Sequence, residues 1–223
     1  MERVLEPELM DDPEQARAYA QADFAEENQG FVNRFVDTYP RWIEGRVEGH
    51  VIDLGCGPAD IPIRLARALP KCRVTAVDGS RSMIHLADRV VREAGLADRI
   101  ALRWERFQEL TLPEPADAGI SNSLVHHLRN PLQFWYALKN LVKPGSPVLV
   151  MDLLRPESAE AAQAIVETYA ASEPAILRRD FYNSLLAAFT EDEVAAQLAE
   201  LNLSRLMVDV PDDRHWVVYG PIY

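Results

Sequence analysis

The sequence predicts a doubly wound α/β fold, a mostly parallel seven-stranded sheet with an antiparallel C-terminal strand pair and helices on both faces. Two observations predict it. From residue 50 onward, short runs rich in Val, Ile and Leu alternate with longer amphipathic stretches, and strict strand-helix-strand alternation means parallel strands joined by crossover helices. Near the C-terminus, two apolar runs are separated only by Pro211, Asp212, Asp213 and Arg214. A connection that short cannot make a parallel crossover, so the last two strands pair antiparallel.

Each element follows from its pattern. Between positions 13 and 38, Ala16, Tyr19, Ala20, Phe24, Phe31, Val32 and Phe35 fall at mostly helical spacings, which predicts one or two helices with an interruption near Gly30. Strands are predicted at 51–54, 73–77, 100–104, 118–121 and 147–153. Helices at 61–69, 83–94 and 134–142 separate them, each with one apolar face; in the last, Phe134, Leu138, Leu141 and Val142 share a side. Thr190 and Glu193 form a capping-box pattern ahead of a helix reaching about position 201. The final strands are expected at 203–210 and 215–222.

Composition narrows the class. With 48% apolar and 26% charged residues the chain has the balance of a soluble globular protein, which excludes a disordered, collagen-like or disulfide-stapled chain. Thirty-five acids against 23 Lys and Arg give a net charge of −12, a field that repels phosphate backbones and anionic membranes alike. No nucleic-acid or membrane partner is expected, and oligomeric state is not specified. Cys56 and Cys72 lack the paired spacing with histidines of a zinc site, so no metal is expected. With no apolar N-terminal signal and no run long enough to span a bilayer, the reading is cytoplasmic. The first dozen residues, acidic and carrying Pro7, read as a frayed end of one domain spanning 1–223. Its parts are N-terminal cap helices (1–45), a core (50–153), an insertion (155–189) and a final helix with the strand pair (190–223).

The stretch Val51-Ile52-Asp53-Leu54-Gly55-Cys56-Gly57-Pro58-Ala59-Asp60 carries the most chemistry. It is a buried strand ending in an acid and passing through two glycines into a helix. Gly55 and Gly57 permit a tight turn and let a ligand lie against bare backbone, while the helix N-terminus leaves amide donors free. The next strand ends at Asp78, whose carboxylate the topology places beside the same loop, suited to the two hydroxyls of a ribose. Alternatively the glycines only turn the chain and Asp78 caps the helix opening near Ser80. A dinucleotide fingerprint needs a third glycine where this chain has Asp60, which disfavours NAD. Asp53 suits a ligand whose near end is cationic.

Four stretches, VIDLGCGPAD, AVDGS, SNSLVHHL and LVKPGSPVLVMDLL, resemble the successive motifs of S-adenosylmethionine-dependent methyltransferases of the seven-stranded Rossmann-like family (class I). The resemblance runs from Val51 to Asp152 and more weakly to Tyr223. It implies S-adenosylmethionine as cofactor, with Asp53, Gly55, Cys56 and Gly57 around the methionine moiety, Asp78 on the ribose, and Gly79 and Met83 flanking the adenine. Where the family has an Asp after the third strand, this chain has Arg106 followed by Phe107, whose amide is left to meet the ring. Asn122 falls where family members expose backbone beside the methyl, and Tyr19 falls on the family's closing N-terminal helix, touching the cofactor carboxylate.

His126 and His127 follow Asn122 at once and are the candidates for acid-base chemistry, since imidazole titrates near neutral pH; they also suit plain hydrogen bonding of the loop. The insertion carries Tyr169, Arg178, Arg179, Asp180, Tyr182 and Asn183 and emerges over the carboxyl ends of the strands, placed to bind the acceptor. Trp42, Trp104, Trp135 and Trp216 are assigned to core or rim. The expected reaction is methyl transfer to a small-molecule acceptor with release of S-adenosylhomocysteine. Two alternatives are another use of the same cofactor, such as carboxy-S-adenosylmethionine formation or aminopropyl transfer, and a non-catalytic partner subunit.

Overall fold

The computed structural model describes residues 1–7, 9–42 and 48–223; positions 8 and 43–45 of the expected cap lie outside them. Seven strands form one sheet: β1 (His50–Leu54), β2 (Arg73–Asp78), β3 (Ile100–Trp104), β4 (Ala118–Asn122), β5 (Ser146–Leu153), β6 (Met207–Asp209) and β7 (His215–Ile222), in the order β3-β2-β1-β4-β5-β7-β6. β1 to β5 are parallel, whereas β7 runs antiparallel to β5 and to β6.

Both faces of the sheet are covered, and the alternation of the strands decides which side chain meets which layer. Ile52, Leu54, Val148, Val150, Trp216 and Val218 point into one core with Phe134, Trp135 and Leu138 of α5 (Leu132–Leu141) and Val194 and Leu198 of α8 (Glu191–Glu200). Val51, Val74, Ala76, Leu149 and Val217 point into the other. There they meet α2 (Ala25–Thr38), α3 (Asp60–Ala68) and α4 (Arg81–Glu93) through Phe31, Phe35, Leu65 and Ala87. Trp135 and Trp216 are fully buried, while Trp104 is largely exposed on the rim, donating from Nε1 to the Gly79 carbonyl at 3.1 Å. The side chain of Trp42 lies outside the described residues.

Several ends are capped as the sequence indicates. Thr190 and Glu193 exchange their bonds, Glu193 N to Thr190 Oγ1 at 3.3 Å and Thr190 N to Glu193 Oε2 at 2.9 Å. α1 (Pro13–Gln21) opens on Asp12, whose carboxylate accepts from the amides of Glu14 and Gln15, with Pro13 at the first helical position. The N-terminal break falls elsewhere than expected. Gly30 lies inside α2, because burying Phe31, Val32 and Phe35 outweighs the cost of one helical glycine, about 1 kcal/mol. The chain breaks instead at Ala22, whose backbone is extended, and Asp23 accepts from the Ala25 amide to restart the helix.

β6 is shorter than the apolar run 203–210 suggests. Leu203 and Leu206 are buried in a turn that continues from α8, their amides donating to the Leu198 and Leu203 carbonyls, so only three residues pair with β7. The first dozen residues are not a frayed end. Those described are tied to the ends of α7 (Ala175–Ala187), β2 and α4: the Val4 amide donates to Leu186 O at 3.0 Å, Ser80 Oγ to Met10 O at 2.8 Å, and Ser82 Oγ to Asp11 O at 3.0 Å. Among the described residues no helix is long and apolar enough to cross a membrane.

Gly119 shows how closely α5 seats on β4. A Cβ there would lie 2.6 Å from Leu138 Cδ1 and 3.1 Å from Val142 Cγ1. Gly119→Ala is expected to cost about 1–3 kcal/mol through overpacking, read as a lower midpoint in urea unfolding; an unchanged midpoint would show that α5 is not held at this distance.

Candidate functional site

The strand order reverses between β1 and β4, and at such a switch point the loops leave the carboxyl ends in opposite directions and open a crevice. A cavity of about 560 Å³ lies there. Fourteen of the residues singled out in the sequence line it: Tyr19, Asp53, Gly55, Cys56, Gly57, Asp78, Gly79, Met83, Arg106, Phe107, Asn122, His126, His127 and Tyr169.

The two glycines of the first loop do different work. Gly55 (φ +76°) is required by its neighbour, since a Cβ would sit 2.9 Å from Leu124 Cβ. Gly57 (φ +51°) has nothing within 4 Å of a Cβ, so bare backbone faces open cavity. Its amide donates to Asp78 Oδ2 at 2.9 Å, and the Ser80 amide donates to Asp78 Oδ1 at 2.7 Å. The second strand end is thereby locked to the first loop. Asp78 does cap the following turn, as the plainer reading held, and each of its oxygens keeps a further lone pair.

Burial dominates the electrostatics. Asp53, almost wholly buried, is pushed up to about 8 by desolvation, with the Asp78 charge adding to it. Asp78 is raised too, by burial, although the Ser80 and Gly57 amides oppose the shift. Desolvation and then Asp78 push Tyr19 up to about 12. Asp60, in the first turn of α3, accepts from Arg64 Nε at 2.7 Å and Asn28 Nδ2 at 2.9 Å. An anionic pyrophosphate would meet Asp53, Asp60 and Asp78 together, so the pocket suits a cationic or neutral ligand. Asn122 Oδ1 is buried without a hydrogen-bond partner, an acceptor awaiting a donor. Burial pushes the Cys56 thiol well above its ordinary value, and the residue fills space.

At the other end, Val125–His127 form a short 3₁₀ turn after β4. Asp152 of β5 organises it. Its carboxylate accepts from the amides of Val125 (2.5 Å), His126 (3.2 Å) and Leu153 (2.7 Å), and its Oδ1 lies 2.5 Å from His126 Nδ1. Burial acts to lower the pKa of His126, but Asp152 and then Glu6 outweigh it and the ring is held above its usual value. Asp152 stays below the carboxylate range, because His126 and the amides outweigh its own desolvation.

The insertion folds into α6 (Ala159–Tyr169) and α7 (Ala175–Ala187), whose Ala162, Val166 and Leu185 share a small core with Leu153 of β5 and Ala188. Arg178, Arg179, Tyr182 and Asn183 do not line the cavity; Leu177, Asp180, Phe181 and Ser184 do. Arg179 is exposed and pairs with Asp180 at 3.0 Å, and Tyr182 packs towards α6. Tyr169 and Asp180 of the insertion residues singled out in the sequence line the cavity, and α7 shows it residues three and four apart, Leu177, Phe181 and Ser184. Asp152 and Glu6 also went unnoticed in sequence, the first as one strand residue among apolar ones and the second as part of an acidic end.

Comparison with known proteins agrees with this architecture. Residues 51–145 match the family described as Methyltransferase domain. The chain is 26% identical over 170 residues to a 2-phytyl-1,4-naphtoquinone methyltransferase of Synechococcus elongatus, covering 71% of this chain and 72% of that one. It is 31% identical over 112 residues, 48% of this chain and 45% of the other, to the ubiquinone/menaquinone biosynthesis C-methyltransferase UbiE of Syntrophotalea carbinolica. In structure it resembles the plantazolicin methyltransferase BpumL in complex with a triazolic desmethylPZN analog and SAH, with a TM-score of 0.71, 14% identity and coverage of 95% and 92% of the two chains. It also resembles an O-methyltransferase family 2 protein from Planctomyces limnophilus in complex with apigenin, with a TM-score of 0.64, 16% identity and coverage of 96% and 62%. The fold is that of the class I, seven-stranded methyltransferases. Residues 51–145 carry the methyltransferase-domain match, and the relatives found by sequence are methyltransferases.

Asp53 yields a pH prediction. Its pKa rises from 3.8 unfolded to about 8 folded, so between those values the folded state binds more protons and this group's contribution to stability falls as pH rises. Without ligand, the wild-type melting temperature should therefore drop more steeply over that window than that of Asp53→Asn. Parallel profiles for the two proteins would contradict the assignment.

Proposed function

We propose that the chain transfers the methyl group of S-adenosylmethionine to a small, largely apolar organic acceptor enclosed in this cavity. The observation that carries the reading is the convergence of Asp53, Gly57, Asp78 and Asn122 at the carboxyl ends of β1, β2 and β4, with the histidine pair facing the same space. When bound, the cofactor supplies a methyl on a cationic sulfur. Asp78, held by two backbone amides, is oriented to accept both ribose hydroxyls. Gly57 leaves room for the chain of atoms lying over the loop. A cation beside Asp53 offsets the desolvation that keeps its carboxyl protonated, and the orphan oxygen of Asn122 takes a donor. The apolar side of Met83 and the ring of Phe107 wall the base, and Arg106 stands at the same edge. Tyr19 closes the cavity from α1.

Leu128, Met151, Leu153, Leu177 and Phe181 make the acceptor end apolar, with Ser184 and Asp180 as polar points. Holding acceptor and methyl in line at contact distance can supply roughly 7–11 kcal/mol. A hydroxyl acceptor gives up its proton to an imidazole of the His126 and His127 pair. A net charge of −12 and a ligand enclosed beneath α7 favour a small molecule over a nucleic acid. Relatives named for naphtoquinone and ubiquinone/menaquinone chemistry, and a fold relative in complex with apigenin, support a ring compound carrying oxygen.

Two measurements test this. Calorimetry should show S-adenosylmethionine binding that weakens by about 1.5–3 kcal/mol in Asp78→Ala, from loss of charge-assisted hydrogen bonds; equal affinity would remove Asp78 from the site. In an acceptor panel read by S-adenosylhomocysteine release, Phe181→Ala is expected to raise KM about tenfold or more, by loss of apolar burial. Arg179→Ala, on the outer face, should leave KM unchanged, and the reverse pattern would place the acceptor elsewhere.

A further inference from the structure

The N-terminal residues bring a carboxylate to the histidine pair. Glu6 Oε1 lies 3.0 Å from His127 Nδ1 and 3.4 Å from His126 Nε2, and the three atoms lie within 4.8 Å of one another. The site is sheltered, with side-chain exposures of 12% for Glu6, 4% for His126 and 15% for His127. Each group is also held from behind. His126 is oriented by Asp152 on Nδ1, which turns Nε2 towards Glu6, and Glu6 accepts from Ser184 Oγ at 3.0 Å. A carboxylate behind a ligating imidazole and a hydrogen bond behind a ligating carboxylate are the supports that metal sites use.

The same atoms are poorly served by hydrogen bonds alone. His127 Nδ1 is buried and makes no well-directed hydrogen bond despite its closeness to Glu6. Glu6 and Asp152 put two carboxylates beside two imidazoles. The nearby guanidinium of Arg3 is spent elsewhere, donating to the carbonyls of Ala187, His126 and Leu128 and lying over the Phe189 ring. A divalent cation would balance the charge and occupy all three lone pairs.

We propose that Glu6, His126 and His127 bind one first-row divalent transition-metal ion at the acceptor end of the cavity, with Asp152 as a positioning residue. Two imidazoles and one carboxylate suit such ions, and three protein ligands leave coordination positions for water or for an oxygen of the acceptor. This rests on the reading of the cavity given above. It assigns the acceptor to compounds that present an oxygen donor, which the ion would hold as the anion, the hydroxyl proton passing to solvent through a water at an open coordination position instead of to an imidazole.

The test uses the full chain, untagged and stripped with a chelator, titrated with Co²⁺ and followed by visible absorption, then challenged with Zn²⁺. One equivalent of Co²⁺ should bind with d–d bands that Zn²⁺ displaces. Glu6→Gln, a change on the terminal segment that leaves the core intact, should weaken binding at least tenfold, and Asp152→Asn by about 10–100-fold. Absence of bands in the wild type, or unchanged affinity in Glu6→Gln, overturns the proposal. Calorimetry with S-adenosylmethionine on the same metal-free samples separates the two readings. Cofactor binding without metal binding refutes the metal site alone, whereas failure to bind the cofactor refutes the methyl-transfer reading.

Discussion

Asp152 is a carboxylate with no exposed surface, and the turn after β4 is arranged around it. Leaving such a group buried and unpaired would cost several kcal/mol. Here three backbone amides and one imidazole surround it. Meeting that demand fixes the turn after β4, tethers it to the end of β5, and aims His126 at the cavity. The Ser123 amide adds a backbone tie between the same two strands by donating to Met151 O at 2.9 Å.

The cofactor end answers the same kind of demand differently. Asp78 is stabilised by amides from two segments, so the loop after β1 and the turn after β2 form one unit. Among the described residues no backbone amide answers Asp53 in this way, and desolvation with the nearby Asp78 charge pushes it up to about 8. The two carboxylates stand at adjacent strand ends and burial raises both, the Asp78 shift opposed by two backbone amides and the Asp53 shift reinforced by the Asp78 charge.

Closure comes from elements distant in sequence. α1 contributes Tyr19, α7 contributes Leu177 and Phe181, and the first residues of the chain run between them, with Leu9 covering Gly79 and Arg3 tying His126 to α7.

The sheet and its order of elements were legible in the sequence, because period-two apolar runs and helices with one apolar face are local signals that tertiary packing reinforced. The first loop was legible for the same reason: Asp53, Gly55, Gly57 and Asp78 lie within a short span whose topology is set by a single crossover. What only the tertiary structure decided was long-range. Gly30 stayed helical because Phe31 and Phe35 are buried; α7 turned Phe181 inward and Arg179 outward; Glu6 met His126 and His127 across more than half the chain. Side-chain type reports what a residue can do, whereas which partner it meets depends on how helices seat on a sheet, and that is determined by burial summed over the whole core.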